Sequence, residues 1–373
     1  MNIYYITNRI NRISKKALVF FCLFIMTFCL TYSAFGSRTA NAEYLERNIG
    51  SSEIVMEQLS GRILYENNAY EKKYMASTTK ILTAICVIEN CYLERKVKIK
   101  KETVGIEGSS IYLKEGEELT VKELLYGLML RSGNDCAETL AVECSGSIEE
   151  FASLMNEMAK KSGAYNSNFV NPHGLHDDNH YTTAYDLAMI SRYAMNNELF
   201  KEIVSTKRIG ISNSLGDYKR ILINKNKMLK EFDGANGIKT GFTKKAGRCL
   251  VSSAKRNGME IICVVLNCPP MFEKSKTLLD TAFNRYSLVK VLNSEEILDF
   301  IPVKGLTEQI GICVKNDVFV PMTESESENY EVVNDYPSEL QLPINKNKEL
   351  GFINILYKNN LLFREKVYSI IDV

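Results

Sequence analysis

The chain has 373 residues, enough for one large domain or two ordinary ones, and 45% hydrophobic with 24% charged residues is a globular composition that excludes disorder as the default. Lys and Arg number 46 against 45 Asp and Glu. The resulting net charge of +1 gives no overall cationic field of the kind that nucleic-acid binding draws on, so no nucleic-acid partner is expected.

The first element in chain order is a leader. Arg9, Arg12, Lys15 and Lys16 precede an almost uncharged apolar run from Ala17 to Phe35, and Ala40-Asn41-Ala42 forms a small-x-small cleavage signal. This predicts a signal peptide over residues 1–42, a mature chain beginning near Glu43, and an exported, extracytoplasmic protein. The run approaches the roughly 20 apolar residues that span a bilayer. Membrane contact is therefore expected only if the segment is retained.

Glu53 to Tyr65 holds two short apolar runs around Ser60-Gly61, which predicts a hairpin. A hydroxyl cluster at Ser77-Thr78-Thr79 followed by helically spaced apolar residues predicts a helix starting near Ser77. Val121 to Leu130 and Ile148 to Ser162 carry the same 3.6-residue period, Ile261 to Leu266 reads as a buried strand, and Ser275 to Tyr286 as a helix. Helices grouped between strands from the two ends of this region predict an α+β domain, an antiparallel sheet flanked by helices. From about Ser294 the texture changes to short strand-like runs, Gly311 to Val314, Glu331 to Val333 and Gly351 to Tyr357, which predict a small β-rich domain. The expected division is 43–291 for the first domain and 292–373 for the second.

Cys22 and Cys29 fall in the leader; the other eight of the ten cysteines sit singly, and no CxxC occurs. Cys86, Cys91, Cys136, Cys263 and Cys268 read as small buried hydrophobes. The histidines are His173, His176 and His180, in a turn-like stretch where i, i+4 spacing carries no helical meaning, so His173 and His180 are expected to brace a loop and no metal site is expected. No cofactor is called for.

Three short motifs follow in order: Ser77-Thr78-Thr79-Lys80, Ser132-Gly133-Asn134 and Lys239-Thr240-Gly241. Alone, a Ser-x-x-Lys is most simply a helix cap with a solvated lysine; the three together form the active-site set of serine enzymes that react with penicillin. On a helix, Ser77 and Lys80 are i and i+3 and share a face. A serine hydroxyl needs a base, and lysine is one only where burial and nearby positive charge depress its pKa. Lys239 can supply that charge. Gly241, without a Cβ, lets a strand backbone approach a substrate.

With Gly108-Ser109-Ser110, Leu130 to Asp135, Asn171-Pro172-His173-Gly174-Leu175, Asn179 to Ala184 and Gly237 to Gly241 in the same order, the region from about Ser52 to Tyr286 closely resembles the D-alanyl-D-alanine carboxypeptidase family of low-molecular-mass penicillin-binding proteins. The resemblance implies a β-lactamase/transpeptidase-like fold and the removal of the terminal D-Ala from peptidoglycan stem peptides. It implies Ser77 as the acylated nucleophile, Lys80 as general base and Ser132 as proton relay. Asn134 would bind the peptide amide, Lys239 and Thr240 the terminal carboxylate, and the N–H groups of Ser77 and Phe242 the oxyanion. Substrate stems ending in D-Ala-D-Ala and covalently attached β-lactam antibiotics are the implied partners.

The chain departs from the family pattern in carrying Phe242 after the Lys-Thr-Gly triplet and Met271 where many relatives have an arginine, which leaves Arg248 or Lys274 to assist the carboxylate. Alternatives are a DD-endopeptidase with the same site, a serine β-lactamase, and a noncatalytic wall-binding protein. The lack of Glu-x-x-Leu-Asn between Ser132 and Lys239 speaks against the β-lactamase, and the intact Ser77, Lys80, Ser132 and Lys239 against the scaffold. Relatives often end in an amphipathic helix; this sequence runs out at Ile370 to Val373 without one, so a soluble or wall-associated protein is expected.

Overall fold

The computed structural model describes residues 50–216, 219–294 and 296–371. The predicted leader and the last two residues lie outside them. Among the described residues no helix is long and apolar enough to cross a membrane.

The catalytic candidates sit on a mixed layer of helix and sheet. The elements in chain order are β1 (Ser52–Glu57), β2 (Ile63–Asn67), α1 (Lys80–Asn90), β3 (Lys96–Lys98), β4 (Glu118–Thr120), α2 (Val121–Leu130), α3 (Asn134–Ser145), α4 (Ile148–Lys161), α5 (Ala184–Ala194), α6 (Glu198–Ser205), β5 (Arg208–Ile211), β6 (Arg220–Ile223), α7 (Met228–Glu231), β7 (Ala235–Thr243), β8 (Gly247–Arg256), β9 (Met259–Leu266) and α8 (Met271–Arg285). A five-stranded sheet has the order β2-β1-β9-β8-β7 with every pair antiparallel, so strands from both ends of the region meet in its middle.

β9 is buried along its whole length because both faces of the sheet are covered. Ile262, Val264 and Leu266 join Ile54, Met56 and Val251 in a core shared with α1 to α6, while Ile261, Cys263 and Val265 join Val55 and Leu250 in a second core under α8. The period of two thus survives inside a continuously apolar run, each large side chain contributing about 1.5–3 kcal/mol of burial. The α2 start carries a capping box between Thr120 and Glu123.

Beyond α8 the chain is β-rich. β10 (Ser287–Leu292) pairs with β13 (Val318–Met322), and β11 (Asp299–Pro302), β12 (Gln309–Cys313), β14 (Glu331–Asp335), β15 (Glu349–Tyr357) and β16 (Asn360–Ser369) form a sheet of order β11-β12-β16-β15-β14, with one short helix, α9 (Glu324–Asn329), between them. Their own core includes Ile301, Ile310, Ile312, Val320, Ile353, Ile355 and Val367. Arg62, from the turn into β2, joins this part to the first: its guanidinium pairs with Glu326 at 2.6 Å, donates to Pro321 O and lies 5.5 Å from the Tyr286 ring centroid.

One reading is refined and one needs correction. The helix expected near Ser77 starts there as a 3-10 turn, Ala76–Thr79, which runs directly into the α-helix at Lys80. The hydroxyls there do not cap the helix: Thr78 Oγ1 donates back to Met75 O at 2.6 Å and Thr79 Oγ1 to Ala76 O at 2.8 Å, and neither accepts from a helix N–H. Cys86, Cys136, Cys263 and Cys268 are buried hydrophobes, but Cys91 ends α1 half-buried, where the core gives way to solvent.

Candidate active site

The turn that carries Ser77 is held from below by a loop about a hundred residues on. His180 Nδ1 accepts from Val170 N–H at 3.1 Å, so a neutral His180 carries its proton on Nε2, which donates 2.8 Å to Thr79 Oγ1, and that hydroxyl passes its own hydrogen to Ala76 O. Burial is the main reason His180 stays neutral, pushed down to about 3. His173 is fixed in the same way: Nδ1 accepts from Leu175 N–H at 3.1 Å and Nε2 meets Glu138 Oε1 at 3.1 Å. His176 Nε2 lies 3.4 Å from Asp178. These rings are occupied as loop braces.

Lys80 is fully buried, and three oxygens surround its Nζ: His173 O at 2.6 Å, Asn134 Oδ1 at 2.7 Å and Ser77 Oγ at 3.2 Å. Asn134 is oriented because its Nδ2 donates to Glu107 O. A carbonyl oxygen and an amide oxygen can only accept, so the two hydrogens of a neutral amine go to His173 and Asn134. The lone pair is left for the hydroxyl of Ser77. Lys80 is held well below the usual lysine range, first by burial and then by the positive charges of Lys239 and Lys225. A serine facing a buried, hydrogen-bonded amine whose charged form is disfavoured is the constellation that nucleophilic acyl transfer requires.

Lys239 comes from β7, the edge strand beside the Ser77 turn. It is buried, donates to Thr240 O at 3.0 Å and is pushed down to about 7 by burial and then by Lys225. Gly241 explains how the strand comes so close: a Cβ there would stand 3.0 Å from Met75 O and 3.1 Å from both Ser77 N and Thr78 N. Phe242 turns its ring outward, 59% exposed, with the Arg248 guanidinium 5.4 Å from its centroid. Thr240 is half-buried beside Lys239.

Ser132 precedes Asn134 at the start of α3, buried, in the left-handed region at φ +64°. Ala76, just before Ser77, has φ +48°. Two non-glycine residues in this costly region next to two motifs mark where surrounding structure dictates the backbone. Asp135 supplies part of it, accepting from Ser110 Oγ at 2.5 Å, Leu113 N at 3.1 Å and Cys136 N at 2.9 Å, which ties the 109–113 loop to α3 and makes its carboxylate structural.

Lys274 does not help at this site. It lies 3.1 Å from the buried carboxylate of Glu53, which pairs across the sheet with Val265 and so faces the second core, where Met271 is also buried. Lys225 was not legible as a site residue: its Nζ donates to Ser109 Oγ at 2.9 Å and its charge acts on both Lys80 and Lys239. Nothing in the sequence marks it, because it is set there by Lys225 N–H bonding to Leu130 O at 3.1 Å, a pairing of remote segments.

A buried lysine aimed at a serine hydroxyl, beside an edge strand bearing a second buried lysine, defines a serine acyl-transfer site on a penicillin-recognising fold. The family profile described as D-alanyl-D-alanine carboxypeptidase matches residues 39–269, and that of the penicillin-binding protein 5 C-terminal domain matches 286–373. The D-alanyl-D-alanine carboxypeptidase DacF of Bacillus subtilis (strain 168) is 30% identical, over 94% of this chain and 92% of its own. Penicillin binding protein 5 from Haemophilus influenzae superposes with a TM-score of 0.76 at 27% identity, covering 86% of this chain and 96% of that one. A Streptomyces K15 DD-transpeptidase, 33% identical with a TM-score of 0.59, covers 62% of this chain and 95% of its own. The chain therefore belongs to the D-alanyl-D-alanine carboxypeptidase family of low-molecular-mass penicillin-binding proteins.

Proposed function

We propose that the protein is an exported serine D-alanyl-D-alanine carboxypeptidase that removes the terminal D-Ala from peptidoglycan stem pentapeptides. Lys80 takes the proton of Ser77 as the hydroxyl attacks the penultimate D-Ala carbonyl, and Ser132 relays a proton to the leaving amine. The oxyanion meets the N–H groups of Ser77 and Phe242. Asn134 has a second Nδ2 hydrogen for the peptide carbonyl, and Lys239 with the Thr240 hydroxyl receives the terminal carboxylate. Lys225 and Arg248 add positive potential at that end. Water then hydrolyses the ester on Ser77, and β-lactams enter the same path but stay attached.

The observation that carries this reading is the environment of Lys80, whose two obligate acceptors leave its lone pair to Ser77. On the same reading residues 1–42 are a removable leader and 43–291 a catalytic domain ahead of a β domain at 292–373. β10 spans the 291/292 boundary and pairs with β13, which supports moving the start of the β domain back to Ser287.

The test is intact-protein mass spectrometry after incubation with benzylpenicillin, beside Ser77→Ala, with release of D-Ala from a pentapeptide followed in parallel. A stable adduct on the wild type alone, together with D-Ala release, is expected. Rapid destruction of the drug without an adduct would make the enzyme a β-lactamase; an adduct with cleavage of cross-linked dimers but no D-Ala release would make it an endopeptidase. No adduct with intact drug would point to a noncatalytic protein.

A further inference from the structure

Two cysteines meet where α1 and α3 end. Cys91 closes α1, its N–H donating to Val87 O at 3.0 Å, and Cys144 is the penultimate residue of α3. Both side chains lie half-buried against the margin of the first core, and each is the group that most perturbs the other's ionisation. A second contact fixes the same two segments: Arg95, just past α1, pairs with Glu143 at 2.7 Å. Five of the other described cysteines are buried, and the last, Cys313, stands half-buried on β12.

The two thiols are not equivalent. Cys144 is held below the usual thiol range and Cys91 above it, each chiefly by the other. Cys144 therefore ionises first, and a half-exposed thiolate is a nucleophile.

We propose that Cys91 and Cys144 form a closable dithiol, which a small-molecule disulfide oxidises to an intramolecular disulfide. The Cys144 thiolate attacks one sulfur of the oxidant, forming a mixed disulfide and expelling one thiolate. Cys91 gives its proton to solvent and attacks Cys144 Sγ, displacing the second thiolate. Two protein thiols are oxidised, and the oxidant takes the two electrons to become two thiols. The new bond ties together the C-terminal ends of α1 and α3, whose N-terminal ends carry Lys80 and Asn134, already bonded at 2.7 Å. The helix pair that carries two of the catalytic motifs is then fastened at both ends.

The setting of this reaction is the extracytoplasmic one proposed above, but its chemistry is tested in solution independently of that reading. The full chain, purified under reducing conditions and freed of reductant, is incubated with oxidised glutathione, and remaining thiols are alkylated before peptide mapping. The expected product is a Cys91 peptide linked to a Cys144 peptide, two hydrogens lighter than the reduced pair. It is expected to come with an unfolding temperature raised by about 5 °C, since the bridge closes a loop of about fifty residues. Cys91→Ser/Cys144→Ser should show no shift and an unaltered rate of acylation by benzylpenicillin. The proposal falls if both cysteines stay alkylatable, if Cys144 stops at the glutathione adduct, or if the link joins other cysteines. Failure of acylation with the link formed would overturn the functional reading and leave this one standing.

Discussion

The two faces of the five-stranded sheet treat lysine in opposite ways. Under α8, Lys274 meets the buried Glu53 carboxylate at 3.1 Å and its amine is raised above the usual range, chiefly by that hydrogen bond. On the other face Lys80 and Lys239 are buried deeper, form no ion pair among the described residues, and are both pushed down, by burial first and by like charge second. Burial alone does not decide what a lysine does; the counter-charge does. With one, it is a permanent cation that fastens a helix to a strand. Without one, its two protonation states come close in energy, as proton transfer requires.

The largest effect should come from removing the proposed base. Lys80→Met should slow acylation by benzylpenicillin by about 10³-fold or more without loss of fold, measured as adduct formation against time. A rate within tenfold of wild type would mean that the face contrast has no catalytic content. On the paired face, Glu53→Gln should lower stability to urea by about 1–3 kcal/mol, because a partly buried ammonium loses its partner, while the acylation rate of the folded fraction stays unchanged.

Lys239 sharpens the contrast because it should be costly to the fold. Its folded value is about 7 against an ordinary 10.5, so below pH 7 both folded and unfolded forms are protonated and the burial penalty is fully present. Between those values the unfolded chain binds a proton that the folded chain lacks, and stability rises with pH. Lys239→Met should gain about 1–3 kcal/mol at neutral pH and flatten that rise, while sharply reducing kcat/KM for carboxylate-terminated peptides. A loss of stability would show that the lysine has a partner in solution. The smallest effect concerns His180, neutral down to about 3 against an ordinary 6.5. The unfolded chain binds a proton over that interval, so stability falls as pH drops through it. His180→Gln should cost about 1–2 kcal/mol and weaken this acid dependence in chemical denaturation curves.

What the sequence made legible follows the range of the forces involved. The hairpin around Ser60-Gly61, the helices at Val121 and Ile148 and the apolar strand at Ile261 rest on local period, and they stand with ends shifted by at most two residues, whereas the helix read from Ser275 starts at Met271. Ser77, Lys80 and Asn134 were readable as motifs and converge within bonding distance. What was not readable depends on remote contacts. The hydroxyls of Thr78 and Thr79 look like helix caps until the carbonyls behind them are known. Lys274 looks available until Glu53 is found beneath it. Lys225, and the His173 carbonyl that takes one hydrogen of Lys80, belong to segments that meet only in the folded chain.

Gly174 carries a consequence for genetics. It has φ +85°, and a Cβ there would drive into the carbonyl oxygen of Ala76, the residue before the proposed nucleophile Ser77. A selection for variants that no longer bind penicillin should therefore return substitutions at Gly174 as readily as at Ser77. Most would be temperature-sensitive alleles, since they displace the turn rather than delete a reacting atom. Second-site revertants should gather in Ala76 and the 171–175 loop, the two backbone segments that compete for that space.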